Sequence, residues 1–113
     1  MQIRNRHFEN VNCPTEVTAT LIGGKWKTII LSFLLEEPRR FGELSRLLPT
    51  TSKRMLTLQL RELEEDGIIH REVFKQVPPK VEYSLTPLGE SLRPIIILMS
   101  KWGTEYLTAK ALI

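Results

Sequence analysis

The feature that most constrains this chain is a pair of helical patterns separated by a proline, at residues 41–67 (FGELSRLLPTTSKRMLTLQLRELEEDG). In the first pattern the apolar residues recur at helical spacing, and they are Phe41, Leu44, Leu47 and Leu48. This spacing predicts a short helix with one apolar face. Pro49 disfavours helical geometry in the residue that precedes it, so the first helix should stop there. A tight turn must then lead into the second pattern.

The second pattern predicts a capped amphipathic helix. Thr51 or Ser52 can begin it by accepting a hydrogen bond from a backbone N–H. Its core-facing stripe follows at i, i+4 and i+7, and consists of Leu56, Leu60 and Leu63. Gly67 suits the left-handed position that follows a helix C-terminus. Two helices joined in this way form a helix-turn-helix, whose second helix lies in the major groove of DNA.

Charge is unevenly distributed along this second helix. Its basic residues are Lys53, Arg54 and Arg61, and its acidic residues, crowded at the end, are Glu62, Glu64, Glu65 and Asp66. Acids at a helix C-terminus oppose the helix dipole, so helix stability does not explain this order. A groove-reading helix contacts bases through its N-terminal residues, so we expect the basic end to enter the groove. The predicted DNA contacts of this helix are Ser52, Lys53, Arg54, Thr57 and Arg61.

After Gly67 the pattern changes from helical to alternating, which predicts two strands at residues 69–74 and 81–85. The segment between them, KQVPPK, carries a lysine at each end and two prolines that stiffen it. Two strands joined by a basic loop directly after the recognition helix predict a wing at about residues 68–85. The predicted DNA contacts of the wing are Arg71, Lys75 and Lys80.

The N-terminal third predicts a loose polar arm (residues 1–12) followed by two helices. Cys13-Pro14 begins the first, which should run to Ile22, because proline suits the first turn. Gly23-Gly24 then breaks the chain. Residues 25–35 form the next helix, with a core stripe of Trp26, Ile29, Ile30, Phe33 and Leu34. Lys25 and Lys27 lie at its beginning, where they are either solvated or in contact with the DNA backbone.

The C-terminal segment predicts one long helix at about residues 87–112, capped by Thr86 and bent at Pro94. Its apolar residues are spaced 4, 3, 4, 3, 4 as in a heptad repeat, and they are Leu88, Leu92, Ile95, Met99, Trp102 and Tyr106. A domain of this size cannot cover so much apolar surface, and an exposed patch of this kind marks a protein interface. We therefore expect these residues to form a dimer interface.

Length and composition restrict the class of protein. The 113 residues suit one compact domain, and the apolar fraction of 42% and charged fraction of 26% are ordinary for a globular protein. No apolar run reaches the roughly 18 residues that a spanning helix needs, so we expect no membrane association. The N-terminal segment has no hydrophobic signal region, which favours the cytoplasm. A net charge of +3 is compatible with a polyanionic partner.

Five sequence blocks, in order along the chain, carry a family resemblance. They are Cys13-Pro14, GGKWK (residues 23–27), RFGEL (40–44), KRMLTLQLRELEEDGIIHR (53–71) and VPPKVEYSLTPLGESL (77–92). With these blocks the sequence resembles the HxlR family of bacterial transcriptional regulators, which are relatives of the MarR group. The resemblance implies a mainly α fold with a small β-wing, a winged helix-turn-helix with terminal dimerisation helices. It also implies a homodimer that contacts operator DNA through its recognition helix and wing.

The resemblance also implies a sensing role for Cys13, whose position is a redox- or electrophile-sensing thiol in some members. The chain has one cysteine, so only an intersubunit bond or a thiol adduct is available. Cys13 precedes Pro14 and hence lies at a helix N-terminus, which favours a thiolate. Lys25 and Lys27 would add positive potential if the glycine break folds the two helices together. The alternative is that Cys13 is a packing residue.

An enzyme is excluded by the lack of paired catalytic groups, because His7 and His70 have no partner placed by spacing. Cys13 with two scattered histidines is no metal-ligand pattern, so we predict neither a cofactor nor a metal. The sequence thus predicts a single-domain, homodimeric transcriptional regulator that binds an inverted-repeat operator in double-stranded DNA, with redox or electrophile sensing through Cys13. The alternative is a winged-helix module that binds protein without specific DNA binding.

Overall fold

The computed structural model describes Phe8 and residues 12–113. The predicted N-terminal arm, with His7, lies outside the described residues except for Phe8 and Asn12. The described elements are α1 (Pro14–Ile22), α2 (Lys27–Glu36), β1 (Arg39–Arg40), α3 (Phe41–Leu47), α4 (Lys53–Glu65), β2 (Ile69–Phe74), β3 (Lys80–Leu85), α5 (Pro87–Glu90) and α6 (Arg93–Ala109). The predicted fold class, mainly α with a small β-wing, is confirmed.

The helix-turn-helix consists of α3 and α4, and its local signals form as predicted. Ser52 is the N-cap of α4, and its hydroxyl accepts a hydrogen bond from the Met55 N–H at 3.0 Å. Gly67 has a φ of +76°, which suits a residue without a Cβ. The following N–H, of Ile68, donates to the Leu63 carbonyl at 3.0 Å. This bond closes the last turn of α4 as in a Schellman motif.

The core is built around the leucine stripe of α4. Leu56, Leu60 and Leu63 are buried together with Leu44 of α3. Leu47 was predicted on the same apolar face, and this is wrong, because its side chain is 38% exposed. Leu48, at the C-cap of α3, is buried in the core instead. Leu44 and Leu48, four residues apart, make the contact, and Leu47 lies on its flank.

The second helix is buried on a broader surface than the predicted stripe. Ile30 and Leu34 are buried as expected, and so are Leu31 and Lys27, which the stripe did not include. The predicted stripe residues Trp26, Ile29 and Phe33 are only partly buried. The reason is tertiary, since α2 packs against α4, β3 and α6. A helix with neighbours on several sides buries residues beyond one stripe.

The three strands form one antiparallel sheet in the order β1-β3-β2. The β2–β3 hairpin is the predicted wing, in which Ile69 pairs with Leu85 and Phe74 with Lys80. Thr86 anchors the base of the wing, because its hydroxyl donates to the Gly67 carbonyl oxygen at 2.7 Å and accepts from the Gly89 N–H at 3.0 Å. A Cβ at Gly89 would lie 2.1 Å from the Ile68 carbonyl oxygen, so this contact requires glycine.

The prediction of a single C-terminal helix over residues 87–112 is wrong. Thr86 and Pro87 begin a helix as predicted, but α5 ends at Glu90 and α6 begins at Arg93. Pro94 therefore lies in the first turn of α6 rather than at a bend inside a long helix. Proline fits there because the first N–H groups of a helix have no intrahelical acceptor. The buried Ile96 anchors α6 to the core.

None of the helices in residues 12–113 is long and apolar enough to cross a membrane.

Candidate nucleic-acid interface and dimer surface

The exposed side of α4 collects every DNA contact predicted for that helix. Ser52, Lys53, Arg54, Thr57 and Arg61 are all exposed, and they line one concavity together with Met55 and Leu58. We call these seven residues the recognition face. Thr57 is held in place because its hydroxyl donates to the Lys53 carbonyl oxygen at 2.8 Å. The role of these residues in binding DNA stays a prediction.

The wing brings a further basic side chain next to the recognition face. Arg71 of β2 lines a cleft of about 350 Å³ together with Thr57 and Arg61 of α4. Tyr83 of β3 closes the inner side of this cleft and pairs with Arg71 across the hairpin. The packing of β2 beside α4 thus brings Arg71 and Arg61, ten positions apart in sequence, to the same cleft.

The two wing lysines differ in their surroundings. Lys75 is exposed near the tip of the hairpin. Lys80 is half-buried, with its Nζ 4.5 Å from the centroid of the Phe74 ring and 3.6 Å from Glu82 Oε2. Its cation is therefore held over an aromatic face and partly compensated by a carboxylate. The charge of Lys80 thus has two neighbours within the wing, whereas Lys75 is open to a partner.

Lys27 corrects one expectation about the beginning of α2. Its side chain is buried, and its Nζ lies 2.8 Å from Glu62 Oε1 on α4. It is therefore not available to the DNA backbone, and it connects α2 directly to the recognition helix. Lys25 remains exposed, with its Nζ 4.7 Å from the Trp26 ring centroid. The one sequence signal for the burial of Lys27 is the apolar Leu31, one turn later on the same face.

Four of the predicted dimer residues form an exposed apolar strip along α6. Ile95, Met99, Trp102 and Tyr106, which we call the α6 seam, are all exposed. The rings of Trp102 and Tyr106 are stacked, with centroids 5.5 Å apart. The two other predicted residues lie before α6: Leu88 is exposed on α5, and Leu92 packs against the core.

The α6 seam continues into a groove toward α1. Ile95 and Met99 line this groove, of about 340 Å³, opposite Thr18, Ala19 and Ile22 of α1. The apolar surface thus extends from the C-terminal helix to the first helix. Cys13 lies at the N-terminal end of that first helix.

Cys13 is exposed and occupies the N-cap position of α1, without a side-chain capping hydrogen bond. The Thr15 hydroxyl beside the sulfur, followed by the backbone N–H groups of Thr15 and Glu16, lowers the pKa of the thiol below its ordinary value. These donors stabilise the thiolate more than the thiol. The expected contribution of Lys27 is not part of this, because Lys27 pairs with Glu62. A thiol that is exposed and more acidic than usual is the form that reacts with oxidants and electrophiles.

His70 is the second histidine in the sequence. His70 is exposed, and its Nε2 lies 3.7 Å from Glu72 Oε1 on the same strand. Within the described part of the chain, no group of three or more histidine, cysteine or acidic side chains is placed to hold a metal ion.

Comparison with known proteins gives a consistent result. The profile of the HxlR-like helix-turn-helix family matches residues 21–111. Over 94 residues, the chain is 60% identical to the uncharacterized HTH-type transcriptional regulator YdeP of Bacillus subtilis (strain 168). The match covers 83% of this chain and 73% of YdeP.

Two solved structures of one redox regulator, HypR, are similar to this chain. The oxidized form superposes with a TM-score of 0.80 at 56% identity, and the match covers 82% of this chain and 96% of HypR. The reduced form gives a TM-score of 0.84 at 50% identity, with 89% of this chain and 100% of HypR covered.

Proposed function

Because the chain belongs to the HxlR-like helix-turn-helix family, and is a transcriptional regulator of the helix-turn-helix type rather than an enzyme, we propose that it binds a specific operator as a homodimer. In this proposal the recognition face reads bases in the major groove of double-stranded DNA. The wing contacts phosphates beside it, and the α6 seam joins two copies of the chain.

The observation that carries the proposal is the concentration of exposed basic side chains on the solvent side of α4. Lys53, Arg54 and Arg61 line one concavity, and Arg71 borders the adjoining cleft. The N-terminus of a helix adds a partial positive charge. A helix with its side chains is about 10–12 Å across, and the major groove is about 12 Å wide. Shape and charge at this surface therefore both suit the groove.

The homodimer is supported by the apolar residues that α6 exposes in a single copy. Exposure of four large apolar side chains to water is unfavourable, and a second copy packed on the α6 seam would bury them. A two-fold dimer presents two α4 helices, so the operator should be an inverted repeat. Its half-sites should lie about 10–10.5 base pairs apart, or a multiple of this distance.

Regulation through Cys13 is the second part of the proposal. Its exposed thiol with a lowered pKa supports it, as does the similarity to a protein described as a redox regulator in two oxidation states. Two Cys13 thiols, one from each subunit, would lose two protons and two electrons to an oxidant such as diamide and form one disulfide bond. A quinone would instead add to a single thiolate.

A mobility-shift assay with fragments of the source genome, at several salt concentrations, tests DNA binding. We expect a discrete complex that survives competitor DNA and weakens with salt, with a slope of about 0.9 for each phosphate neutralised. Arg54→Ala should weaken the complex, and Lys101→Ala, which removes an exposed lysine from α6, should not. If no fragment is shifted and the chain instead binds a protein partner, the alternative of a protein-binding winged-helix module is correct.

The same assay tests Cys13. Diamide or a quinone should change operator binding by the wild-type protein and leave Cys13→Ser unaffected. An equal response of both proteins would show that any redox signal enters elsewhere.

A further inference from the structure

Leu58 is a large apolar side chain in the middle of the recognition face. It is 42% exposed, whereas Leu56 and Leu60, two residues before and after it, are each 1% exposed. Two residues correspond to about 200° of helical rotation, so Leu58 lies on the side of α4 opposite to both Leu56 and Leu60. Its exposure is thus fixed by the register of α4 and not by a loosely packed helix end.

The neighbours of Leu58 are basic. Arg54 lies one turn before it and Arg61 one turn after it on the same side of the helix, and all three line one concavity. The fold does not require leucine here, because glutamine, lysine and arginine have similar helix propensities and would avoid exposing apolar surface. An apolar side chain between two arginines therefore suits a partner that presents an apolar group with negative charges on either side of it.

We infer that Leu58 contacts the 5-methyl group of a thymine in the major groove, and that it determines a preference for an A·T pair at one position of each half-site. The inference rests on the proposed function, since it requires α4 to lie in that groove. The thymine methyl is the apolar group that the base edges present there, and apolar side chains recognise it by contact. Leu58 is the sixth residue of α4, within its second turn, and is therefore among the residues that approach the base edges.

Met55, the other apolar residue of the recognition face, suits this contact less well. Its sulfur accepts a hydrogen bond from Gln59 Nε2 at 3.3 Å, which holds the side chain along the helix. Leu58 carries two methyl groups at the end of a short side chain that is 42% exposed, and no hydrogen bond to it is possible. The methyl contact is therefore assigned to Leu58.

The experiment replaces thymine by deoxyuridine, which removes the 5-methyl group and leaves base pairing unchanged. A binding site is first selected with the wild-type protein from random-sequence duplexes, and each thymine is then replaced in turn. At one position of each half-site we expect binding to weaken about fourfold, the change expected when a methyl-sized group loses its apolar contact. Replacement of thymines outside the site is the DNA control.

Two variants connect this effect to the side chain. Leu58→Ala should bind the thymine and deoxyuridine duplexes equally, and Leu58→Met, which keeps an apolar tip, should retain the preference. Circular dichroism of both variants confirms that α4 is intact, and if Leu58→Ala does not fold, Leu58→Gln provides the same comparison.

The outcomes distinguish failure of the inference from failure of the proposed function. If deoxyuridine weakens wild type and Leu58→Ala by the same factor at every position, Leu58 reads no methyl group, although DNA binding by α4 stands. If Leu58→Ala keeps full methyl discrimination but loses a protein partner, the inference is overturned in favour of a protein contact. If the wild type selects no sequence at all, both the inference and the proposed function fail.

Discussion

Helices α4 and α6 differ in which of their apolar residues are buried within one chain. The leucine stripe of α4 (Leu56, Leu60 and Leu63) is buried within one chain, and the opposite side of the helix carries exposed basic residues. In α6 only Ile96 is buried, while the α6 seam stays exposed. A single copy thus buries the leucine stripe of α4 but leaves the α6 seam uncovered. Under the proposed function, α4 therefore meets a polar, anionic surface and α6 an apolar one.

The largest effect is expected from a charge in the α6 seam. Met99→Asp would place a carboxylate in the proposed dimer interface, where an unpaired charge costs about 3 kcal/mol or more. We expect the dimer to dissociate at least 100-fold more readily and DNA binding to fall with it, as measured by sedimentation velocity. Thr104→Asp is the matched control, because it adds the same charge to an exposed position two residues beyond Trp102 and hence on another side of α6. Equal dissociation of both variants, or a monomeric wild type at micromolar concentration, would contradict the assignment of the seam.

The next effect concerns the support of α4 from within the chain. Lys27→Ala removes the buried partner of Glu62 and should lower the free energy of unfolding by about 2–3 kcal/mol. Breaking a fully buried ion pair costs about 3–5 kcal/mol, and we expect a smaller loss here because Glu62 is less buried than Lys27. Urea unfolding measures this loss. Lys25→Ala, at an exposed position two residues earlier, should change stability by less than about 0.5 kcal/mol. A similar loss in both variants would show that the ion pair does not anchor the recognition helix.

A third prediction separates base reading from phosphate contact. Arg54→Ala should weaken operator binding by about 1–3 kcal/mol and flatten the preference among sequences. Lys80→Ala on the wing should weaken all DNA similarly and lower the salt slope by about one unit. Fluorescence anisotropy with operator and scrambled duplexes at several salt concentrations distinguishes the two patterns. If both variants lose specificity to the same degree, the division between α4 and the wing is wrong.

The smallest effect concerns the reactivity of Cys13. Because its pKa is lowered, the thiolate fraction rises at lower pH than in the unfolded chain, and the rate of alkylation by iodoacetamide should level off earlier as pH increases. Thr15→Val removes the hydroxyl donor and should shift the profile toward that of the unfolded chain. Thr18→Val, on the same helix, should leave it unchanged. Identical profiles for the wild type and Thr15→Val would exclude the Thr15 hydroxyl as the main cause.

Local patterns in the sequence were enough to predict the helix-turn-helix, the wing and the family. The cap at Ser52, the left-handed Gly67 and the leucine stripe of α4 depend on residues within a few positions of each other. Alternation after Gly67 located both strands of the wing within a residue or two, because the hairpin is also a local structure.

Two of the errors depend on contacts between distant segments. Burial of Lys27 requires Glu62 from another helix, and nothing near Lys27 in the sequence specifies that pairing. The break between α5 and α6 accompanies the hydrogen bond from Arg93 Nη2 to the Leu35 carbonyl oxygen at 3.1 Å, a contact to α2. The role inferred for Leu58 was not predicted from the sequence for another reason, since an apolar residue off the stripe is a surface residue by default. The predicted DNA and dimer contacts remain predictions.

The central claim, that two chains together bind one inverted repeat through two α4 helices, is tested most directly by native mass spectrometry of the protein with its selected duplex. We predict two chains on each duplex that contains both half-sites, spaced about 10 base pairs apart or a multiple of this distance. A complex of one chain with the intact site, or two chains bound equally well to a scrambled duplex, would contradict it.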